Sequence, residues 1–432
     1  MMRSLFSAVS GLRVHQTKLD AIANNVSNIN TTAFKSSRVT FAEIFAETLQ
    51  RAMAEDEPTG RGGVNPIQVG LGATVASIDT SFKQGAAQQT DRPYDLMISG
   101  DGFFVVGDVS GLKFTRNGAF NFDSAGNLVN SAGLHVYGWQ VKKDANDKTA
   151  VEQGPVTPLA VTEAMRTAPP TTTKNIDFTD NLNAVNDAHT TNMTFYDSLG
   201  YKYVTDVTFA YVPEASGSGV NVWSFTIEPY MHRQEKPDEK IDLTGELTGA
   251  LYFDDYGKLI GPASVTLSVL QGALPDSKFG DADGNIKINF TNLTQYGEFP
   301  TNAKSNMSDG KPFGVLQDVS IGGDGVITGR YSNGDVIPLG QIPVAVFDNA
   351  QGLSSDGNGL YMTTANSGEF DGIGQSVQLT GGKIMAGALE MSNVELAQEF
   401  TEMITTQRGF QANSRIISVS DDILQELINL KR

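Results

Sequence analysis

Residues 388–432 place a large apolar side chain at every seventh position: Leu389, Leu396, Met403, Phe410, Ile417 and Leu424. A second line, Phe400, Ile404, Ile416, Ile423, Leu427, Ile428 and Leu430, widens the stripe. Glu395, Glu399, Glu402, Arg408, Arg415, Asp421 and Glu426 lie between the lines, no proline interrupts them, and the only internal glycine is Gly409. The pattern predicts a helix of about 40 residues, roughly 60 Å long at the usual rise. A lone helix cannot bury its own apolar stripe, so this one requires a partner.

The other end of the chain supplies a candidate. Leu5, Leu12, Leu19 and Val26 repeat every seven residues, with Ala8, His15, Ile22 and Ile29 three further on, which predicts an amphipathic helix over 3–28. It dissolves into an Asn/Ser/Thr-rich run from Asn24 to Thr32, residue types that compete for backbone hydrogen bonds and favour caps and turns. Residues 1–40 sum to +4 and residues 388–432 to −3, so the two ends attract while the middle carries about −19 of the net −18. Neutral paired ends with an acidic exterior suit packing inside and exposure outside.

Between the ends, Phe41, Phe45, Leu49 and Met53 at spacing four predict a short helix. A glycine-rich loop follows through Gly60, Gly62, Gly63, Gly70 and Gly72, then an extended segment through Ile78 and Phe82. From Tyr94 the period becomes two, with turn signals at Asp101-Gly102, Asn117-Gly118 and Gly126-Asn127. These predict hairpins joining residues 96–98 to 103–106 and 114–116 to 119–122. A polar, proline-bearing stretch at 165–175 marks a boundary, and further β patterns run over 193–290 and 315–364. The expected fold class is multidomain, α plus all-β, with the terminal helices paired as a coiled-coil domain followed by nested antiparallel β domains. The expected domains are 1–38 with 386–432 as the helical part, 39–90 as a connector, 91–162 with 306–380 as a discontinuous β domain, and 163–305 as an inserted outer β domain.

The search for chemistry returns no catalytic, cofactor-binding or metal site. His15, His135, His189 and His232 are scattered without metal-ligand spacing, and there is no cysteine. Gly381-Gly382-Lys383-Ile384 lacks the spacing and the Ser/Thr of a phosphate loop. Residues 281–285 open like a calcium loop but lack its sixth-position Gly, and Asn292 stands where the twelfth-position Glu would be. A net charge of −18 argues against nucleic acid and anionic membranes as partners. No apolar run approaches a membrane span, and the N-terminus is a poor secretory signal, its apolar stretch being short and soon followed by Arg13, His15 and Lys18.

Several of these stretches resemble the signatures of the bacterial flagellar rod/hook family of axial proteins. They are SAVSGL and LDAIANNVSNINTTAFK near the start, DLMISGDGFFVV and FTRNGAFNFDSAGNLVNSAGLHVYGW in the first β region, and GALEMSNVELAQEF onward at the end. The resemblance covers roughly residues 1–140 and 310–432, and the long insertion between Val161 and Thr301 is like the hook-type members rather than the shorter rod-type ones. It implies a tubular homopolymer acting as a flexible universal joint. The implied partners are the distal rod protein, the hook cap during assembly, hook–filament junction proteins and the flagellar type III export gate. It also implies an extracellular location reached without a cleaved signal. The residues expected at the assembly interface are Leu5, Leu12, Leu19, Ile22, Asn24, Asn25, Val26, Asn28, Leu389, Leu396, Phe400, Met403, Phe410, Ile417 and Leu424. The three asparagines are expected to bond between subunits or to line a wet channel. Phe41 and Phe45 resemble the family's export motif, a Phe with a hydrophobe four residues on. The alternatives are a distal rod subunit, or a secreted β-rich carbohydrate-binding protein using aromatics such as Trp223 and Tyr230.

Overall fold

The computed structural model describes residues 2–52, 63–143, 149–183, 188–213, 220–269, 278–281 and 283–429. Met53, Gly60, Gly62 and Leu430 lie outside these, as does the side chain of Leu427. Two helices bracket the chain, α1 (Met2–Ser27) and α2 (Leu396–Asn429), with strands between them. Contacts divide the chain into two units. One holds Met1–Thr162, Ser320–Thr328 and Pro338–Arg432, the other Glu163–Val319 and Gly329–Ile337.

In the first unit, α1 and α2 pack against each other antiparallel. α1 ends where Asn24–Asn30 take over the backbone: the Asn28 amide still donates to the Asn24 carbonyl, and Ala33 turns left-handed at φ 58°. α2 begins later than the heptads suggest. Residues Ala388–Glu390 form a strand paired with β5 (Ala87–Gln89), so Leu389 is no helix residue and its place in the seven-residue series is coincidental.

Among the described residues, 41–52 form no helix, contrary to the expectation over 41–53. β1 (Ser37–Glu43) pairs antiparallel with β4 (Ala73–Thr80), and β2 (Ala46–Gln50) with β3 (Ile67–Gly70), making one two-stranded ribbon. A spacing of four places residues on one face of a strand as well as of a helix, and β-branched Val39, Thr40, Ile44 and Thr48 favour the strand. The hairpins expected at two turns also differ. β6 (Leu96–Ser99) pairs with Lys383–Ala386, not with β7 (Phe103–Asp108). β8 (Gly111–Thr115) pairs with β7 and with Leu360–Met362, while Phe120–Phe122 pairs with Leu128–Asn130. Asn117-Gly118 is thus a crossing point: a Cβ at Gly118 would lie 1.8 Å from the Leu96 carbonyl oxygen, and the Leu96 amide donates to the Gly118 carbonyl. Turn residues mark a bend but not which strand comes next to which. Phe103, Val105, Phe114, Phe347 and Tyr361 form the buried core here.

The second unit is a large sheet system. Its parallel pair, Asn175–Asn181 beside Asn285–Thr294, departs from the antiparallel expectation. Alternate residues point inward, as in Lys202–Tyr211, where Tyr203, Thr205, Val207 and Phe209 are buried. Phe178, Phe209 and Phe225 ring Phe290 with centroids 5.2–6.2 Å away, and Trp223 is fully buried in the same core. Residues 306–319 and 329–337 belong to this unit rather than to the first β domain. The Tyr331 hydroxyl donates to the Met165 carbonyl at 2.6 Å, and Lys311 pairs with Asp335. Phe290→Ala should destabilise this unit by about 3–5 kcal/mol, read as a shifted urea midpoint with tryptophan fluorescence as the probe.

Candidate assembly interface

The buried face of α2 is mostly small and polar, with Met403 and Ile417 among its few large apolar residues. Along α2 the buried and half-buried positions include Glu402, Met403, Thr406, Gly409, Asn413, Ile417 and Ser420, and Glu399 reaches Asn25 across the seam. Facing them on α1 are Ala8, Gly11, Val14, His15, Lys18, Ile22 and Asn25. The register shows at two notches: a Cβ on Gly11 would meet Asn413 Nδ2 at 2.5 Å, and one on Gly409 would meet the His15 ring at 2.7 Å. Lys18 bonds Glu402 at 3.2 Å.

That arrangement leaves large apolar side chains on several sides of α2 uncovered. Leu396, Phe400, Ile404, Ile416, Val419, Ile423 and Ile428 are 41–67% exposed, and Phe410 and Leu424 are each 37%. Met403 and Ile417 are half-buried. On α1, Leu5, Leu12 and Leu19 are half-buried, Ile22 is buried, and Phe6 is exposed. Exposed large apolar residues in such number mark a surface built to be covered. The ribbon adds Phe41, Ile44, Phe45, Leu49, Ile67, Val69 and Leu71, all exposed.

The asparagines behave differently from the expectation. Asn25 is buried and fully used within the chain: Nδ2 donates to the Ser37 carbonyl and to Glu399 Oε1, and Oδ1 accepts from the Ser37 amide. Asn28 Nδ2 donates to the side-chain and backbone oxygens of Asn24, locally stiffening the end of α1. Asn25 therefore joins the two ends of one chain.

Nearby lies a cluster that no sequence pattern announces. Lys35 Nζ donates to Glu390 Oε1 at 2.7 Å and to the Lys83 carbonyl, and the Lys35 and Glu390 side chains are fully buried. The Gly85 amide donates to the same carboxylate oxygen, and Arg116 Nη1 lies 3.8 Å from Glu390 Oε2. Burial pulls the Lys35 ammonium below the ordinary lysine value, against the opposing attraction of Glu390. Burial and the Glu390 charge push the Tyr361 hydroxyl up to about 12. Asn393 completes the clasp, accepting from the Ser36 amide and donating to the Ser81 carbonyl. Lys35 and Glu390 each stand as a single charge among small and apolar residues, which is a signal, but neither names the other.

Burial raises the Glu399 carboxyl above the usual glutamate value of 4.5, although the Asn25 hydrogen bond opposes it. The folded chain therefore holds that proton more tightly than the unfolded one, and this contribution to stability is lost as pH rises through the range just above 4.5. Glu399→Gln keeps an acceptor for Asn25. It should leave the helix pair at least as stable at pH 7 and flatten its melting temperature against pH in that range, followed by circular dichroism. Lys35→Met should cost about 3–5 kcal/mol, because it leaves Glu390 buried without its closest cation, measured by urea unfolding.

Four family models match the chain along its length. The flagellar basal body rod protein model matches residues 5–35, and the flagellar hook protein FlgE/F/G D1 domain model matches residues 97–163. The flagellar basal body protein FlaE D2 domain model matches residues 164–310, and the flagellar basal body rod FlgEFG protein C-terminal model matches 385–430. The chain is 37% identical to the flagellar hook protein FlgE of Treponema pallidum over 472 aligned positions, covering all of both chains. It is 36% identical to that of Borreliella burgdorferi, again over the whole of both. A flagellar basal-body rod protein FlgG from Bacillus subtilis is 29% identical, also end to end.

Proposed function

We propose, from the premise that this chain belongs to the flagellar hook protein family and is a structural subunit of the hook, that α2 builds the tube by its uncovered apolar side chains. The observation that carries this is the division of labour on α2. Its buried face, mostly small and polar with Met403 and Ile417 among it, is spent within the chain, and Phe400, Ile404, Ile416, Val419 and Ile423 stay exposed. Apolar area contributes about 25 cal/mol per Å² once covered, so many copies add up to a tight inner wall. The acidic remainder of the chain lies in segments suited to water, where modest polar contacts between copies can slide while the wall holds. That combination fits a flexible joint transmitting torque from rod to filament.

The neighbours that such a joint requires are the distal rod protein at one end and the hook–filament junction proteins at the other, with a cap during growth. The rod reading has one supporting fact, the end-to-end likeness to a rod protein. Electron microscopy of the purified polymer separates the two, since hooks are curved and pliable and rods straight. Ile404→Ser together with Ile416→Ser should abolish polymer on grids while leaving the urea midpoint of the β units within about 0.5 kcal/mol of the parent. Polymer of normal length from this variant would remove the proposal.

Export through the flagellar type III gate, without a cleaved signal, is the companion proposal, with Phe41 and Phe45 as the motif. Phe45 is 74% exposed, so its replacement touches little of the fold. Phe45→Ser should lower secretion of the chain into the medium several-fold while its thermal melting stays unchanged. Undiminished secretion, assayed by immunoblot of culture supernatant, would exclude a role for this residue.

A further inference from the structure

His15 is a titratable group in the helix seam that tube building by apolar contact does not use. Its ring lies on the backbone of α2 at Gly409, where a Cβ would come within 2.7 Å of both Cε1 and Nε2. On its other side it meets the edge of Phe41 of the ribbon, with centroids 5.8 Å apart and planes at 86°. One imidazole thus touches all three elements of this part of the unit: α1, α2 and the ribbon. Nδ1 is buried and has no hydrogen-bond partner among the described residues.

Among the described residues, the charges around it give an imidazolium no counter-ion. On α1, Lys18 lies one turn on and over the same Phe41 ring, 5.8 Å from its centroid. On α2, Glu402 is engaged by Lys18 at 3.2 Å and also feels the charge of Arg38 on β1, while Arg408 beside Gly409 is exposed and positive. Phe41 itself brings no charge, and the next acid along β1, Glu43, lies against Gly70 of the returning strand.

We propose that His15 is a proton-operated latch on the helix pair, closed when neutral and opened when protonated. A proton on Nδ1 would sit desolvated with no acceptor, beside the like charge of Lys18. Relief comes from α2 or the ribbon moving off the ring, which admits water. Burial, then Lys18, already hold the ring below the ordinary imidazole value of 6.5. The open seam therefore takes the proton more readily than the closed one, and the closed seam loses stability as pH falls through the ordinary imidazole range. The latch is read from one folded chain and holds whether the polymer is a hook or a rod.

The test is hydrogen–deuterium exchange by mass spectrometry on assembled polymer at pH 7.5 and 5.5, corrected for the intrinsic pH dependence of exchange. Peptides spanning residues 8–22 and 402–420 should lose protection by about threefold or more at pH 5.5. His15→Phe, which fills the same notch with a ring that does not titrate, should show no such loss. Where His15→Phe does not assemble, His15→Gln measured in the same way takes its place. Unchanged protection in the parent overturns the latch. So does an equal loss in the parent and the variant, which would assign the acid effect to groups other than His15.

Discussion

A carboxylate with no access to water holds the two ends of this chain together. Glu390, on the strand before α2, takes a hydrogen bond from Lys35, on the segment after α1, and another from the Gly85 amide, with Arg116 of the β domain close by. Removing charges from water costs several kcal/mol each, so such a group persists only where geometry and hydrogen bonds compensate. The chain supplies that compensation from four separate stretches. Since the ion pair admits only one arrangement of those stretches, it fixes where α1 stops and where α2 starts. The Ala33 amide, donating to the Glu390 carbonyl at 2.7 Å from a left-handed residue, belongs to the same constraint.

Given those fixed endpoints, the helices meet in one register. Gly11 opposite Asn413 and Gly409 opposite His15 form two reciprocal notches, each filled by a polar ring or amide from the facing helix. Polar groups at a helix seam specify register at some cost in stability, and here they also leave the apolar residues unspent. A subunit whose helices buried their large side chains in each other would be more stable alone and would have less to offer a neighbour.

How much of this is legible in the residues follows from the physics of each signal. The terminal helices are legible because a period of seven, sustained without proline, fits an amphipathic helix and little else. Their mutual packing is legible from opposite charge bias, which Lys18 and Glu402 embody. The face is not, because heptad spacing says which residues are apolar and not whether a partner is in the same chain. Phe41 and Phe45 suggest a helix and lie in or beside strands, because a four-residue interval fits both periods. Leu389 falls into the series by chance. The Lys35–Glu390 pairing is out of reach from one sequence, since nothing local links residues 355 positions apart. Asn25 stands out as a polar residue within an apolar repeat, but its spacing does not say that its partners are Ser37 and Glu399 of its own chain.

That separation of 355 positions has a consequence for which molecules can enter a polymer. The clasp joins a residue from the first tenth of the chain to one from the last tenth, so a chain cut short anywhere before Glu390 has no anion for Lys35 and no strand beside residues 87–89. A chain cut between Met362 and Lys383 would keep the buried core residues of both β units, but its α1 would have no partner helix. Molecules that lack Glu390 therefore carry a Lys35 cation without its anion, and the bond at the end of α1 forms only in chains that reach the start of α2.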